Sequence, residues 1–323
     1  MVLANVLWFL AGLAALVAGA EVMVRGATKI ATRLGVSPII VGLTIVAIGT
    51  SMPEMAIGVV SASEGSGALA VGNIAGANVI NLLFVLGLSA LILPLAIQIR
   101  TLRAELPVMA GVALLLWVLA ADGGLSRING VILVTGAIIY TGAVVWAARR
   151  ETRDAAAEFD HAYPPAPTSG GRTVLHVGMM LGGIAVIVLG AQWLVDAAVG
   201  LARGFNVSDA LIGLTVVAIG TTAPELVTTV VSTLRGERDI AIGNLLGSSI
   251  YNILLILGVT CLVSADGLQL PPELVRVDIP IMVAATLICI PIFISGRRVS
   301  RVEGGAMVGA YVAFLAFLLT TQT

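Results

Sequence analysis

Long apolar stretches make up most of the chain, and short polar segments interrupt them at regular intervals. A helix needs about 20 apolar residues to cross the hydrocarbon core of a bilayer. By that length the pattern predicts an all-α polytopic membrane protein with ten transmembrane helices. The predicted spans cover residues 3–23, 37–62, 69–97, 104–121, 127–148, 173–195, 208–234, 240–265, 278–296 and 302–320. Pro94 is expected to end or kink the third span early.

One block of this pattern occurs twice. Residues 42–92 and 213–263 align without a gap at an offset of 171, and 23 of the 51 aligned positions are identical. Five predicted spans separate equivalent points of the two copies, so the second copy enters the membrane in the opposite orientation. The sequence therefore predicts two inverted five-helix repeats, related by a pseudo-two-fold axis in the membrane plane. The match includes prolines, glutamates and asparagines inside otherwise apolar spans: Pro53 and Pro224, Glu54 and Glu225, Asn73 and Asn244, and Asn81 and Asn252.

The repeats divide the chain into two transmembrane halves, residues 1–148 and 173–323, each containing one copy of the block. The segment between them, 149–172, is charged and rich in Ala, Pro and Gly, and is interpreted as a short cytoplasmic linker. The first span lacks a preceding basic region, so it is expected to be a retained helix rather than a cleaved signal.

Composition and charge agree with a membrane protein and fix its expected orientation. Hydrophobic residues make up 59% of the chain and charged residues 11%, against roughly a quarter charged in soluble domains. The net charge of −1 gives no reason to expect a nucleic-acid partner. With both termini outside, fourteen of the 17 Lys and Arg residues lie in inside loops. Because positive charge marks the cytoplasmic side, we expect a multi-pass inner-membrane protein with both termini extracytoplasmic.

Each repeat contains a broken helix that holds an acid. The segments are GTSMPE at 49–54 and GTTAPE at 220–225. Proline donates no backbone hydrogen bond, so Pro53 and Pro224 should free carbonyls one turn earlier. Those carbonyls, a threonine hydroxyl and a carboxylate would then lie within one turn, and hard cations prefer such an all-oxygen shell. A proline kink can also serve packing alone, but an acid at mid-membrane is costly and typical of a functional site.

The second element of each repeat is GNIAGANVIN at 72–81 and GNLLGSSIYN at 243–252. Its GxxxG spacings predict close helix packing. Asn81 and Asn252 lie four residues after Ala77 and Ser248, so each pair shares a helix face. The asparagines can complete an oxygen shell or can form interhelical hydrogen bonds, and the sequence leaves both open. Cys261 and Cys289 lie in apolar runs and indicate neither a disulfide nor a metal site.

These paired motifs resemble the α-repeats of the cation/Ca²⁺ exchanger superfamily, and most closely its prokaryotic Na⁺/Ca²⁺ exchangers. The resemblance covers the whole chain and implies a site at the centre of the bundle. It implies that Glu54 and Glu225 bind Ca²⁺ together with the carbonyls of Thr50 and Thr221. It also implies that the first and sixth spans slide against the rest. The residues implied for flanking Na⁺ sites are Ala47, Ser51, Ala218, Thr222 and Ser248, with Asn81 and Asn252 lining the middle.

The chain departs from that family pattern at two positions. Asn252 stands where studied members have Asp, and Ala77 stands where they have Ser. The site therefore has two carboxylates, K⁺ co-transport is disfavoured, and the number of Na⁺ ions is left open.

The leading hypothesis is a secondary active antiporter that exchanges Ca²⁺ for Na⁺ by alternating access. The alternative is an antiporter that exchanges H⁺ for Ca²⁺ or another divalent cation. A cation channel is disfavoured, because channels usually form pores between subunits. The sequence contains no HExxH motif and no Ser/His or Asp pair typical of intramembrane enzymes, so no enzyme activity is expected. We expect the bilayer and the transported ions as partners, and neither a cofactor nor an obligate protein partner.

Overall fold

The computed structural model describes residues 2–97, 99–159, 170–204 and 218–321. Within these ranges the chain is mostly helical. The helices are α1 (Val2–Leu34), α2 (Pro38–Thr50), α3 (Met52–Ser63), α4 (Gly67–Ile92), α5 (Ile99–Leu119), α6 (Arg127–Phe159), α7 (Gly170–Gly204), α8 (Ala218–Thr221), α9 (Ala223–Leu234), α10 (Arg238–Val263), α11 (Leu274–Arg297) and α12 (Arg301–Thr321). The strands are β1 (Leu95–Ala96), β2 (Gly124–Leu125), β3 (Leu268–Gln269) and β4 (Arg298–Val299).

Seven of the described helices are long and apolar enough to cross a membrane, or eight if the bent pair α2 and α3 counts as one span. The protein is therefore a multi-pass helical membrane protein. The predicted span 104–121 coincides with α5. The first part of the predicted span 208–234 falls on residues 205–217, outside the described part of the chain. The count of ten thus stays a prediction.

Helices α4 and α10 lie at the centre of the protein. In each, 78% of the most apolar stretch is buried, against 17% in α1 and α12. Pro94 acts as the sequence predicts, because α4 ends at Ile92 and Leu93 is already extended. Helix α6 continues to Phe159, into the segment interpreted as a linker, and residues 160–169 lie outside the described part.

The second GxxxG element brings α10 against α2. A Cβ atom added to Gly243 would lie 2.6 Å from the Ile39 carbonyl oxygen, and one added to Gly247 would lie 2.6 Å from that of Leu43. Both distances are too short for any side chain, so the predicted close packing is confirmed there. Gly72 and Gly76 in the first repeat make no such close approach to a described residue.

Two short strand pairs close opposite ends of the bundle. Strand β1 pairs with β4, and β2 pairs with β3, each antiparallel. Strand β1 follows the last residue of α4, whereas a Cβ on Gly67, the first residue of α4, would lie 2.9 Å from Leu268 Cα in β3. The two pairs therefore lie one helix length apart.

Candidate cation site

The broken helices form as the sequence predicts. Helix α2 ends at Thr50, α3 begins at Met52, and the two axes differ by 43°. Ser51 leaves the helical range with φ −85° and ψ 14°, and Thr222 does the same in the second repeat with φ −86° and ψ 0°. Each break lies two residues before a proline, whose ring excludes the backbone hydrogen bond that a continuous helix would make.

Each break places a glutamate in the first turn of the helix that follows. Glu54 lies in the first turn of α3, and Glu225 in the first turn of α9. A helix start carries partial positive charge, which favours a carboxylate there. Both side chains are fully buried. Among the residues that the structure describes, both carboxylate oxygens of Glu54 and Oε2 of Glu225 have no hydrogen-bond partner. Buried carboxylates in this state need a cation or protons.

Glu225 joins the two halves of the molecule. Ser51 Oγ donates to Glu225 Oε1 over 2.8 Å, and Ser248 Oγ lies 3.4 Å from the same oxygen. Ser248 Oγ also lies 3.4 Å from the Ala47 carbonyl oxygen. The structure thus brings Ala47, Ser51, Glu225 and Ser248 together from α2, its break, α9 and α10. Ser51 precedes Glu54 by three residues, so the two glutamates meet at the same break.

The Thr50 hydroxyl is already engaged within the protein. It donates to Asn244 Oδ1 over 3.0 Å and lies 3.3 Å from the Ala47 carbonyl oxygen. Asn244 Nδ2 in turn donates to Thr229 Oγ1 over 3.2 Å. These bonds tie the end of α2 to α9 and α10, and they leave the carbonyl of Thr50 as the ligand implied by the resemblance.

The two repeat asparagines each lie in a π-helical turn. Asn81 lies in the turn Ile80–Val85, and Asn252 begins the turn Asn252–Leu257. Single π-turns within α-helices are frequent at functional sites. Both side chains are fully buried. No described residue is a hydrogen-bond partner of either side-chain amide atom of Asn81 or of Asn252 Oδ1.

Asn78 is a site residue that the sequence reasoning missed. Its Nδ2 donates to the Ser249 carbonyl oxygen over 3.2 Å, and its Oδ1 accepts from Asn252 Nδ2 over 3.1 Å. Because the Ser249 carbonyl oxygen can only accept, the Asn78 atom facing it must be the NH₂ group, and the Asn78 oxygen must face Asn252. The Asn252 NH₂ group therefore points at Asn78, and the Asn252 oxygen is left available for a cation. The sequence signal for Asn78 is weak, because the candidate residues are those that are identical in the two repeats, and the residue aligned with Asn78 is Ser249.

The remaining predicted residues belong to the second break. Thr221 and Thr222 are buried. Ala218 begins α8, but its side chain lies outside the described part. Within the described ranges, no three His, Cys, Asp or Glu side chains form a group that could hold a metal ion. The site is therefore built from two carboxylates and neutral oxygens.

The chain matches the family described as sodium/calcium exchanger protein over residues 4–146 and 175–320. It is 36% identical over 319 residues to CaxA of Alkalimonas amylolytica, covering 98% of each chain. It is 33% identical over 353 residues to the sodium/calcium exchanger MaX1 of Methanosarcina acetivorans, covering 98% of this chain and 99% of that one. A structure of the sodium-calcium exchanger NCX_Mj, soaked with Na⁺ and Sr²⁺, is similar with a TM-score of 0.84 and 27% identity. That match covers 98% of this chain and 99% of the other.

Proposed function

This chain belongs to the sodium/calcium exchanger protein family, and we propose that it exchanges Ca²⁺ for Na⁺ by alternating access around Glu54 and Glu225. Transport rather than catalysis is the activity of the family, and cation/Ca²⁺ antiport agrees with the relatives. One observation carries the assignment to these two residues. Three of their four carboxylate oxygens are buried at the helix breaks and have no partner within the described part of the chain.

The donor set suits both ions. Ca²⁺ takes about six to eight oxygens and Na⁺ fewer, and both prefer oxygen to nitrogen or sulfur. In this proposal Glu54 and Glu225 bind Ca²⁺ with the carbonyls of Thr50 and Thr221, and Asn81 and Asn252 add amide oxygens. The flanking Na⁺ positions use Ser51 and Ser248, which already contact Glu225. The other residues of those positions are Ala47, Ala218 and Thr222.

The proposal includes ten spans in two inverted halves, 1–148 and 173–323. The strand pairs support it. Strands β1 and β3 follow the matched helices α4 and α10, and β2 and β4 precede α6 and α12. Pairing β1 with β4 at one end and β3 with β2 at the other is what a two-fold axis in the membrane plane would produce. The β4 end carries Arg297, Arg298 and Arg301, so we assign that end to the cytoplasm.

Obligatory exchange follows from the cost of an empty site. Two buried carboxylates without a counter-ion are strongly disfavoured in a membrane interior. Because Ca²⁺ and Na⁺ compete for Glu54 and Glu225, the site would cross the membrane loaded with one or the other. Leakage without a counter-ion would then be slow.

Exchange of H⁺ for Ca²⁺ is the second candidate, and the neutral Asn252 favours it. With two carboxylates, two protons balance one Ca²⁺ without a third acid. In that case Glu54 and Glu225 would carry the protons, and Na⁺ would be dispensable.

Uptake of ⁴⁵Ca²⁺ into proteoliposomes separates the two candidates. The vesicles are loaded with Na⁺ or with choline at equal pH, and a protonophore is present. Uptake that requires internal Na⁺ is the expected result. Absence of Na⁺-driven uptake, with uptake driven by a pH gradient once the protonophore is omitted, would replace Na⁺ by H⁺ in the mechanism.

A further inference from the structure

A line of buried hydroxyls continues from Glu225 along α9. Thr228 and Ser232 follow Glu225 by three and seven residues, which places all three within about 60° of one another around the helix. Both hydroxyl side chains are fully buried, and their oxygens have no hydrogen-bond partner among residues 2–97, 99–159, 170–204 and 218–321. Ser232 lies about 10 Å along the helix axis from Glu225. It therefore lies outside the glutamate site, on the way to the end of α9.

Helix α4 supplies a third hydroxyl to the same region. Ser89 is fully buried, and its oxygen also has no hydrogen-bond partner in those described ranges. The segment Leu86–Ile92 packs against α12 and α9. Gly87 faces α12, because a Cβ there would lie 2.8 Å from the Gly304 carbonyl oxygen. Ser89 is two residues further on, roughly 200° around the helix, so it lies on the side away from α12 and towards α9.

The other half of the molecule contains the matching contact. A Cβ added to Gly58 in α3 would lie 2.6 Å from Thr260 Oγ1 in α10. In the alignment of the two repeats, Gly58 corresponds to Thr229 in α9, and Thr260 corresponds to Ser89 in α4. The repeat therefore agrees with Ser89 lying beside α9. We name Thr228, Ser232 and Ser89 the hydroxyl track.

The hydroxyl track leads towards an open cavity. Helix α9 ends at Leu234, and the next residues, 236–239, line a cavity of about 320 Å³ together with Pro38, Ala96 and Ile97. This cavity lies at the β1 end of the bundle, which the proposed function assigns to the cytoplasm. Glu237, Arg238 and Asp239 place two carboxylates and one guanidinium in its lining. The order from solvent inward is thus a charged mouth, the hydroxyl track and the glutamates.

The matching positions in the other half carry one hydroxyl fewer than the track. Thr228 matches Ile57, which has no hydroxyl. Ser232 and Ser89 match Ser61 and Thr260, and the Thr260 hydroxyl donates to the Ile256 carbonyl oxygen of its own helix over 2.7 Å. Unpartnered buried hydroxyls are costly, and their concentration on one side of the site indicates a ligand.

We propose that the hydroxyl track is an additional, weaker Na⁺ site, separate from the flanking Na⁺ positions at the glutamates, between them and the cytoplasmic cavity. This inference rests on the proposed function. Neutral hydroxyl oxygens can replace hydration water around a monovalent hard cation, but they provide no charge to balance Ca²⁺. The track gives Na⁺ an intermediate binding position on one side of the membrane. It acts on the apparent Na⁺ affinity measured from that side alone.

The test compares Na⁺ dependence from the two sides of the membrane. Right-side-out and inside-out vesicles carry wild type, Thr228→Val or Ser232→Ala, and the Na⁺ concentration for half-maximal ⁴⁵Ca²⁺ exchange is measured in each. Loss of one oxygen ligand should raise that concentration about fivefold from the cytoplasmic side. The value from the other side, and the half-maximal Ca²⁺ concentration, should not change. Thr228→Ser keeps the hydroxyl and should restore the wild-type value.

Ser61→Ala is the matched control, because Ser61 occupies the position of Ser232 in the other half. It should leave the cytoplasmic value unchanged. Equal shifts from both sides in the Thr228 and Ser232 variants would assign these residues to the glutamate site and overturn the proposal. Unchanged values in both would also overturn it. Absence of Na⁺-driven exchange in wild type would instead contradict the proposed function itself.

Discussion

Replacing Asn78 by alanine tests how the central site obtains its amide oxygens. Asn78 holds Asn252 through a 3.1 Å hydrogen bond and is itself held by the Ser249 carbonyl. Without Asn78, the Asn252 Nδ2 loses its partner, and the amide can turn its NH₂ group towards the cation. The structure therefore predicts weaker Ca²⁺ binding from a residue that supplies no ligand of its own.

The size of the effect follows from the group left unpaired. A buried polar group that loses its partner costs about 1–3 kcal/mol. If the whole cost appears in the ion-bound state, Ca²⁺ affinity falls about 5- to 150-fold. Because Asn78 acts through Asn252, the two substitutions should not be additive, and a coupling energy of about 0.5–3 kcal/mol is expected.

The assay is calorimetric Ca²⁺ titration of the detergent-solubilised protein. Wild type, Asn78→Ala, Asn252→Ala and the double variant complete a thermodynamic cycle. Ser249→Ala is the matched control, because Ser249 is aligned with Asn78 but its hydroxyl bonds only the Leu245 carbonyl of its own helix. Its affinity should equal that of wild type. Additive effects of Asn78→Ala and Asn252→Ala would refute the reasoning.

Three further predictions concern packing, charge and the Glu225 contact. Gly243→Ala places a methyl group 2.6 Å from a carbonyl oxygen of α2 and should destabilise the fold by about 1–3 kcal/mol. The control is Gly142→Ala, whose methyl group would meet no described atom within 4 Å and should leave the thermal unfolding midpoint unchanged. Equal midpoints for Gly243→Ala and Gly142→Ala would contradict the close packing of α10 against α2. Asn252→Asp adds a third carboxylate and should change the Na⁺ dependence of ⁴⁵Ca²⁺ exchange; an identical curve would place Asn252 outside the site. Ser51→Ala removes the 2.8 Å bond to Glu225 and should weaken Na⁺ competition against Ca²⁺ by about tenfold, whereas unchanged competition would exclude Ser51 as a ligand.

The repeat made the broken helices predictable. Proline chemistry is local, so Pro53 and Pro224 fix the breaks at Ser51 and Thr222 without knowledge of the fold. The end of α4 before Pro94 follows in the same way. The acids in these segments were conspicuous because an apolar context makes a glutamate expensive.

The parts that depend on contacts between helices were not predictable. Asn78 acquires its role only because α4 and α10 cross where Ser249 lies. The hydrophobic period predicted continuous α-helix at Asn81 and Asn252, where the structure has π-turns. The sequence predicted the Thr50 hydroxyl as one oxygen of a cation shell, but that hydroxyl donates to Asn244 Oδ1 from the other half. The hydrophobic period and the helix propensity of a segment carry no information about which residues of other helices it will contact.

The central claim is that Ca²⁺ and Na⁺ compete for Glu54 and Glu225. Equilibrium ⁴⁵Ca²⁺ binding to the purified protein, with and without Na⁺, tests it most directly in wild type, Glu54→Gln and Glu225→Gln. Glu105→Gln is the control, because Glu105 is also buried but accepts a hydrogen bond from Tyr140 and lies outside the repeated blocks 42–92 and 213–263. Na⁺-displaceable Ca²⁺ binding is expected in wild type and Glu105→Gln, and it should be lost in Glu54→Gln and Glu225→Gln. Ca²⁺ binding that Na⁺ still displaces in Glu54→Gln or Glu225→Gln would contradict the central claim.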